Sequence, residues 1–128
     1  MFDHVTIAVL DLKRSRRFYA AALAPLGYTI QTEIIDKPTG DLAALGFGTQ
    51  TRTTFWLVQG RPGSPLHLAF AAENHAAVNA FHAGALAAGG RDHGAPGPRP
   101  QYHADYYAAF VIDPDGYNVE AVCHAYEP

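Results

Sequence analysis

Apolar positions along this chain switch twice from an alternating to a helical spacing. Over residues 4–28, HVTIAVLDLKRSRRFYAAALAPLGY, a short strand pattern gives way to a stretch in which Phe18, Ala22 and Leu23 fall on one helical face. The same succession recurs over 67–91, HLAFAAENHAAVNAFHAGALAAGGR, with Val78, Phe81, Ala85 and Leu86 as the apolar stripe. The two stretches align without a gap at a constant offset of 63 residues, which sets His4 on His67, Ala8 on Ala71, Phe18 on Phe81, Leu23-Ala24 on Leu86-Ala87 and Gly27 on Gly90. Alanine matches by chance in so alanine-rich a chain, so the paired His, Phe and Gly carry the repeat. Each helix is expected to stop at its glycine, the residue that best tolerates a left-handed position after a helix.

Each copy continues into strand patterns: YTIQTEII, DLAALGF and TTFWLVQG in the first, YYAAFVID and YNVEAVCH in the second. In the second copy RDHGAPGPRP (91–100) intervenes, and Pro96, Pro98 and Pro100 forbid a regular central strand there. The last two strands are joined by Asp113-Pro114-Asp115-Gly116, a tight turn in which Pro fixes φ, Asp supplies local hydrogen bonds and Gly accepts a positive φ. The pattern predicts two β-α-β-β-β modules, about 1–60 and 66–128, joined at RPGSP. Half of the chain is too little to bury both faces of a sheet, so the modules are expected to share one core within a single domain spanning 1–128. The fold class is α+β: a cupped, eight-stranded mixed sheet with the helices outside.

Composition narrows the setting. The 128 residues are 48% hydrophobic and 16% charged, with a formal net charge of −3. With no basic stripe, nucleic acid is not an expected partner. No apolar run is long enough to span a membrane. The start, MFDHVTIAVLDL, enters a strand pattern without a basic and then apolar leader, so no secretory signal is expected. A single cysteine, Cys123, fits a reducing compartment, and a cytoplasmic location is the expectation.

The candidate chemistry lies on the strands. Glu120 interrupts the apolar strand around Val119, Ala121 and Val122, while His4 and His67 hold equivalent positions at the starts of the two modules. If a pseudo-twofold relates the modules, both histidines and Glu120 can converge on a groove. Two imidazoles and a carboxylate then make a facial set for a divalent metal, with positions left open for water or substrate. The alternative is a solvated carboxylate on an open sheet with two histidines at strand starts. The run QYHADYYAAF (101–110) places Tyr102 and His103 at the mouth of such a groove, and period-two alternation puts Tyr106, Ala108 and Phe110 on one face. His103 is a candidate general acid or base, since imidazole titrates near neutral pH. Trp56, Tyr106 and Phe110 are candidates for the substrate wall. His124 shares the strand face of Glu120 but lies roughly 13 Å further along, outside the same metal shell. His75, His82 and His93 read as surface or packing residues, and Cys123, of opposite parity to Glu120, as packing under the helices.

The frame HVTIAVLDLKRSRRFYAAALAPLGY, then HLAF, then DPDGYNVE resembles the vicinal oxygen chelate superfamily, which includes glyoxalase I, bleomycin-resistance proteins, fosfomycin-resistance enzymes and extradiol dioxygenases. The resemblance covers nearly the whole chain. It implies a divalent metal, zinc, manganese, iron or nickel, on His4, His67 and Glu120; Tyr102 and His103 are the candidate catalytic residues by their place at the groove mouth, not by the resemblance. It further implies a small-molecule substrate with vicinal oxygens and lyase, isomerase or dioxygenase chemistry. A homodimer is implied as well, with sites completed by or close to its interface. Two departures weigh against glyoxalase I itself: the fourth-ligand position falls on Trp56 or, counting by the repeat, Leu57, and an expected arginine is Ala8. After Glu120 the chain runs AVCHAYEP, without the basic cluster of the fosfomycin enzymes. The other implied class is a metal-free binding protein of the bleomycin-resistance type, holding a flat aromatic ligand against Trp56, Tyr102 and Tyr106.

Overall fold

The computed structural model describes residues 2–128. The first module runs β1 (Val5–Val9), α1 (Leu12–Leu23, followed by a 3₁₀ turn at Ala24–Leu26), β2 (Thr29–Ile35), β3 (Leu42–Gly48) and β4 (Thr53–Gln59). The second runs β5 (His67–Ala71), α2 (His75–Ala87), β6 (Arg91–Pro98), β7 (Tyr107–Ile112) and β8 (Asn118–Cys123). The expected β-α-β-β-β order therefore appears twice. The eight strands hydrogen-bond as two four-stranded mixed sheets, β1-β4-β3-β2 and β5-β8-β7-β6, rather than as one continuous ladder. In each, the first strand of the module lies parallel to the last.

The repeat extends to details of helix chemistry. Asp11 and Asn74, which the 63-residue offset superposes, cap the two helices by accepting the N–H of Arg14 at 3.2 Å and of Ala77 at 2.8 Å. Equivalent glycines do different work, however. Gly27 is left-handed (φ 90°) after the 3₁₀ turn, whereas beyond α2 the left-handed residue is Gly89 (φ 103°). Gly90, the partner of Gly27 in the alignment, is required by space: a Cβ there would lie 2.5 Å from Val111 Cγ1 and 2.6 Å from Phe18.

One core runs through both modules, from Phe18, Leu45 and Leu57 to Phe81, Val111 and Val119. Phe18, Ala22 and Leu23 are fully buried, as are Val78, Phe81 and Ala85. Leu86 departs from the expected stripe and is exposed, at the far edge of a narrower buried face. The helices pack on one another, and a Cβ on Gly84 would meet the Ala21 carbonyl oxygen at 2.8 Å. Ala21 and Gly84 are themselves one repeat apart, as a crossing on a pseudo-twofold requires.

The Gly/Pro-rich segment supplies β6, Arg91–Pro98, and it is neither central nor regular, as its prolines require. Proline is tolerated because β6 is the edge of its sheet, and its register shifts between Asp92 and Gly94 and again before Gly97.

The DPDG turn turns out to be a clamp between modules. Gly116 (φ 95°) closes it, and the buried Asp113 carboxylate accepts the N–H of Asp115 at 2.8 Å and of Tyr117 at 2.9 Å. Its other oxygen accepts the Tyr19 hydroxyl from α1 at 2.5 Å. Asp115, its side chain 1% exposed, accepts from the Leu10 N–H, the Arg14 guanidinium and the Ser15 hydroxyl at the entry to α1. Tyr117 adds an O–H bond to the Ala8 carbonyl at 2.8 Å. Burial pushes the Asp113 carboxyl above the usual carboxylate range, and the Tyr19 hydroxyl partly offsets this.

Because the folded-state value is raised, this group favours the folded state in acid and weighs against it as pH rises through the carboxylate range. Removing the Tyr19 donor therefore costs more at neutral than at acid pH. Tyr19→Phe should destabilise the protein by about 1–3 kcal/mol at neutral pH, with a smaller loss near pH 4. Urea unfolding at the two values checks both the size and the trend.

Candidate functional site

Strand parity gives each sheet a closed and an open face. In the second sheet Leu68 and Phe70 of β5 and Val119, Ala121 and Cys123 of β8 face the core. His67 and Ala69, paired with Asn118 and Glu120, line the open face, and Phe110 of β7 lies directly opposite Glu120. Open here does not mean wet: the Glu120 side chain is 3% exposed.

Three neighbours account for this carboxylate. His67 Nε2 lies 2.8 Å from Oε1, and the Tyr106 hydroxyl donates to Oε2. Phe110 stacks under the His67 ring with centroids 6.1 Å apart. Burial, then the hydrogen bond to Glu120 and its charge, push the Tyr106 phenol up to about 12. Tyr106 thus stays a donor throughout the physiological range, fixing one carboxylate oxygen and leaving the other to His67.

Around Tyr106 the 99–106 turn folds into an aromatic and imidazole cluster. Tyr102 lies 4.9 Å from the Tyr106 ring and His103 5.3 Å from it. His124, which follows β8, meets the Tyr106 ring edge-on at 5.2 Å and does not contact Glu120. It pairs instead with His103, Nδ1 to Nε2 at 2.8 Å. The Asp105 N–H donates to His103 Nδ1, so in the neutral pair Nε2 of His103 carries the proton and donates to His124. That pairing was not legible beforehand, since two loop histidines 21 residues apart leave no periodic trace. Nor was Arg99, whose guanidinium lies 5.4 Å from the Phe110 ring centroid while bonded to the Gly97 and Ala95 carbonyls.

The remaining site candidates lie on the first sheet. His4 precedes β1 with the parity of Thr6 and Ala8, on the open face, and its Nδ1 bonds Asp3 Oδ1 at 2.7 Å. That bond, together with the imidazole's charge, holds the exposed Asp3 below the usual carboxylate range. Trp56 is half-buried beside Thr6, its ring across Gly46. The strand register settles which residue corresponds to Glu120. Glu120 pairs with Ala69, the repeat partner of Ala69 is Thr6, and Thr6 pairs with Trp56. The module-one counterpart is therefore Trp56, while Leu57 faces the core.

Within one chain the structure brings together His67, Glu120, Tyr106, Phe110, Tyr102 and His103. It does not bring His4 to them: among the described residues, the only three His, Cys, Asp or Glu side chains with ligand atoms within 4.8 Å of one another are His75, Cys123 and Glu127. Both sheets turn their closed faces to one core, so the open faces that carry His4 and His67 are directed away from it rather than toward each other.

The comparisons agree with this architecture. Residues 1–121 match the family described as Glyoxalase/Bleomycin resistance protein/Dioxygenase superfamily, and the chain belongs to it. Among solved structures, it is similar to a glyoxalase/bleomycin resistance protein from Albidiferax ferrireducens T118, at 32% identity and TM-score 0.78 over 96% of this chain and 98% of that one. Glyoxalase I from Zea mays shares the fold at 24% identity and TM-score 0.70, over 95% of this chain and 45% of that longer one. A genomically encoded fosfomycin resistance protein from Listeria monocytogenes does so at 16% identity and TM-score 0.67, over 96% of this chain and 92% of that one. No curated protein matches the chain.

Tyr106→Phe leaves one oxygen of a buried carboxylate without its donor while keeping the ring contacts. It should cost about 1–3 kcal/mol of stability. The same substitution made on Glu120→Gln should cost measurably less, because the charge that needs the donor is gone. A double-mutant cycle in urea reads the coupling.

Proposed function

We propose that this protein is a divalent-metal-dependent enzyme acting on a small molecule with two neighbouring oxygens, and that it works as a cytoplasmic homodimer. The observation that carries the reading is the His67–Glu120 pair: an imidazole nitrogen 2.8 Å from an oxygen of a carboxylate whose side chain is 3% exposed. Ligands bound at roughly 2.0–2.2 Å and set at right angles lie about 3 Å apart, so this donor pair already has the spacing of adjacent ligands. Zinc, manganese, iron or nickel would be held by His67 and Glu120, with His4 of a second copy as the third ligand. Bound there, the ion would act as a Lewis acid on the vicinal oxygens.

The chain's own residues supply the rest. Tyr106 holds Glu120 by one oxygen, so that its anionic lone pairs are directed toward His67. Stacking on Phe110 limits rotation of the His67 ring. His103, with Nε2 bonded to His124, is the group at the mouth able to take or give a proton, and Tyr102 stands beside it as a donor. Trp56, Tyr106 and Phe110 form the apolar wall, with Trp56 also reached from the second copy.

A second reading has its own support. Trp56 stands where the other module carries its carboxylate, and an indole there suits a flat aromatic ligand bound without metal, as in proteins of the bleomycin-resistance type.

Titration calorimetry on chelator-treated protein separates the two. Glu120→Gln, His67→Ala and His4→Ala should each weaken zinc, manganese or nickel binding at least tenfold, and affinity should fall on acidification as the imidazoles take up protons. Unchanged affinity in Glu120→Gln would sink the metal reading and leave the aromatic-binding one.

A further inference from the structure

We propose a second metal site, separate from the first and on the opposite face of β8, in which Cys123, His75 and Glu127 hold a zinc-class cation. The three side chains come from the end of β8, the first residue of α2 and the segment after β8, and their ligand atoms lie within 4.8 Å of one another. Their chemistry differs from that of the Glu120 site. A thiolate, an imidazole and a carboxylate form the mixed sulfur, nitrogen and oxygen set that selects borderline-soft divalent ions.

Several features organise the site before any ion binds. Cys123 pairs in register with Tyr107, and the Tyr107 ring stacks flat against His75, centroids 3.8 Å apart and planes 8° apart. The Tyr107 hydroxyl donates to Asn79 Oδ1 at 2.7 Å, which anchors that stack to α2. Glu127 accepts the backbone N–H of His75 at 2.5 Å and sits 3.9 Å from its Nε2. A cavity of about 290 Å³ lined by His75, Tyr107, Tyr126 and Glu127 adjoins the cluster and leaves room for a water as fourth ligand. Among the described residues, the buried Cys123 thiol has only a long contact to the Ala125 carbonyl, 3.9 Å, as a competing partner.

Tetrahedral zinc places N, O and S ligands about 3.3–3.6 Å apart, given bonds of about 2.0–2.3 Å. His75 and Glu127 stand 3.9 Å apart and no pair of the three exceeds 4.8 Å, so reaching about 3.3–3.6 Å needs shifts of about 1 Å, which the Glu127 side chain, 37% exposed, and the His75 ring can share. The ion would tie the segment after β8 to the first turn of α2. The proposal does not depend on the metal reading of His67 and Glu120.

Cobalt(II) added to metal-free protein tests it, because a thiolate ligand gives a charge-transfer band in the near ultraviolet and Cys123 is the only cysteine. The band should appear at one equivalent in the wild type and in His67→Ala, vanish in Cys123→Ser, and be displaced by zinc. His75→Asn and Glu127→Gln, at partly exposed positions that do not threaten folding, should keep the band but weaken cobalt binding at least tenfold. A wild type without the band at saturating cobalt overturns the site, as does a band whose affinity is unchanged in both of those variants. Loss of the Glu120 site alone would leave every one of these readouts in place.

Discussion

The crossing of α1 and α2 is the constraint on which the rest of the molecule depends. At Gly84 the helices are so close that a single methyl group would strike the Ala21 carbonyl, and those two residues occupy one repeat position. A symmetric crossing of this kind sets both sheets around one core. The DPDG turn then locks the arrangement, with Asp113 on Tyr19 and Asp115 on the entry to α1. Buried carboxylates are costly unless satisfied, and here each carboxylate accepts three hydrogen bonds. The turn of the last hairpin is thus a fastening between modules.

From that constraint follows the division of the candidate site. With both closed faces spent on the core, the open faces carry the polar chemistry, His67, Glu120 and Tyr106 on one and His4 and Trp56 on the other. The modules differ in complementary ways. The second carries a carboxylate on its last strand with an aromatic and imidazole rim around it, while the first carries an indole at the matching register position. Under the proposed reading, each complete site draws its ligands from the second module of one copy and the first of another.

Much of this was legible in the sequence, for physical reasons. A repeat at constant offset exposes the helix stripes and the His4/His67 equivalence because each is set by local spacing. Parity placed Phe110 and Tyr106 on one face of their strand and Cys123 opposite Glu120 on the next, since period-two alternation is a covalent property of a strand; that Phe110 lies beside Glu120 needed the register. What local spacing does not encode depends on the third dimension. The prolines over 91–98 excluded a central strand, but the edge position that β6 takes instead needed the sheet order. The choice between Trp56 and Leu57 needed the register, since the second module carries one more residue than the first before its last strand. That His75 and Cys123 meet Glu127 reflects a segment folding back over the sheet, a contact without periodic signature.

Mixing two defective subunits tests the central claim most directly. His4→Ala and His67→Ala each remove one ligand and should each bind the divalent ion poorly as separate proteins. If every site combines His4 of one copy with His67 and Glu120 of another, a mixed dimer contains one intact site and one doubly broken site. After unfolding and refolding the two variants together in equal amounts, half of the dimers should be mixed. One quarter of the wild-type number of sites should then recover wild-type affinity. Recovery of none, with dimers shown to have exchanged, would contradict the account and place all ligands within one chain.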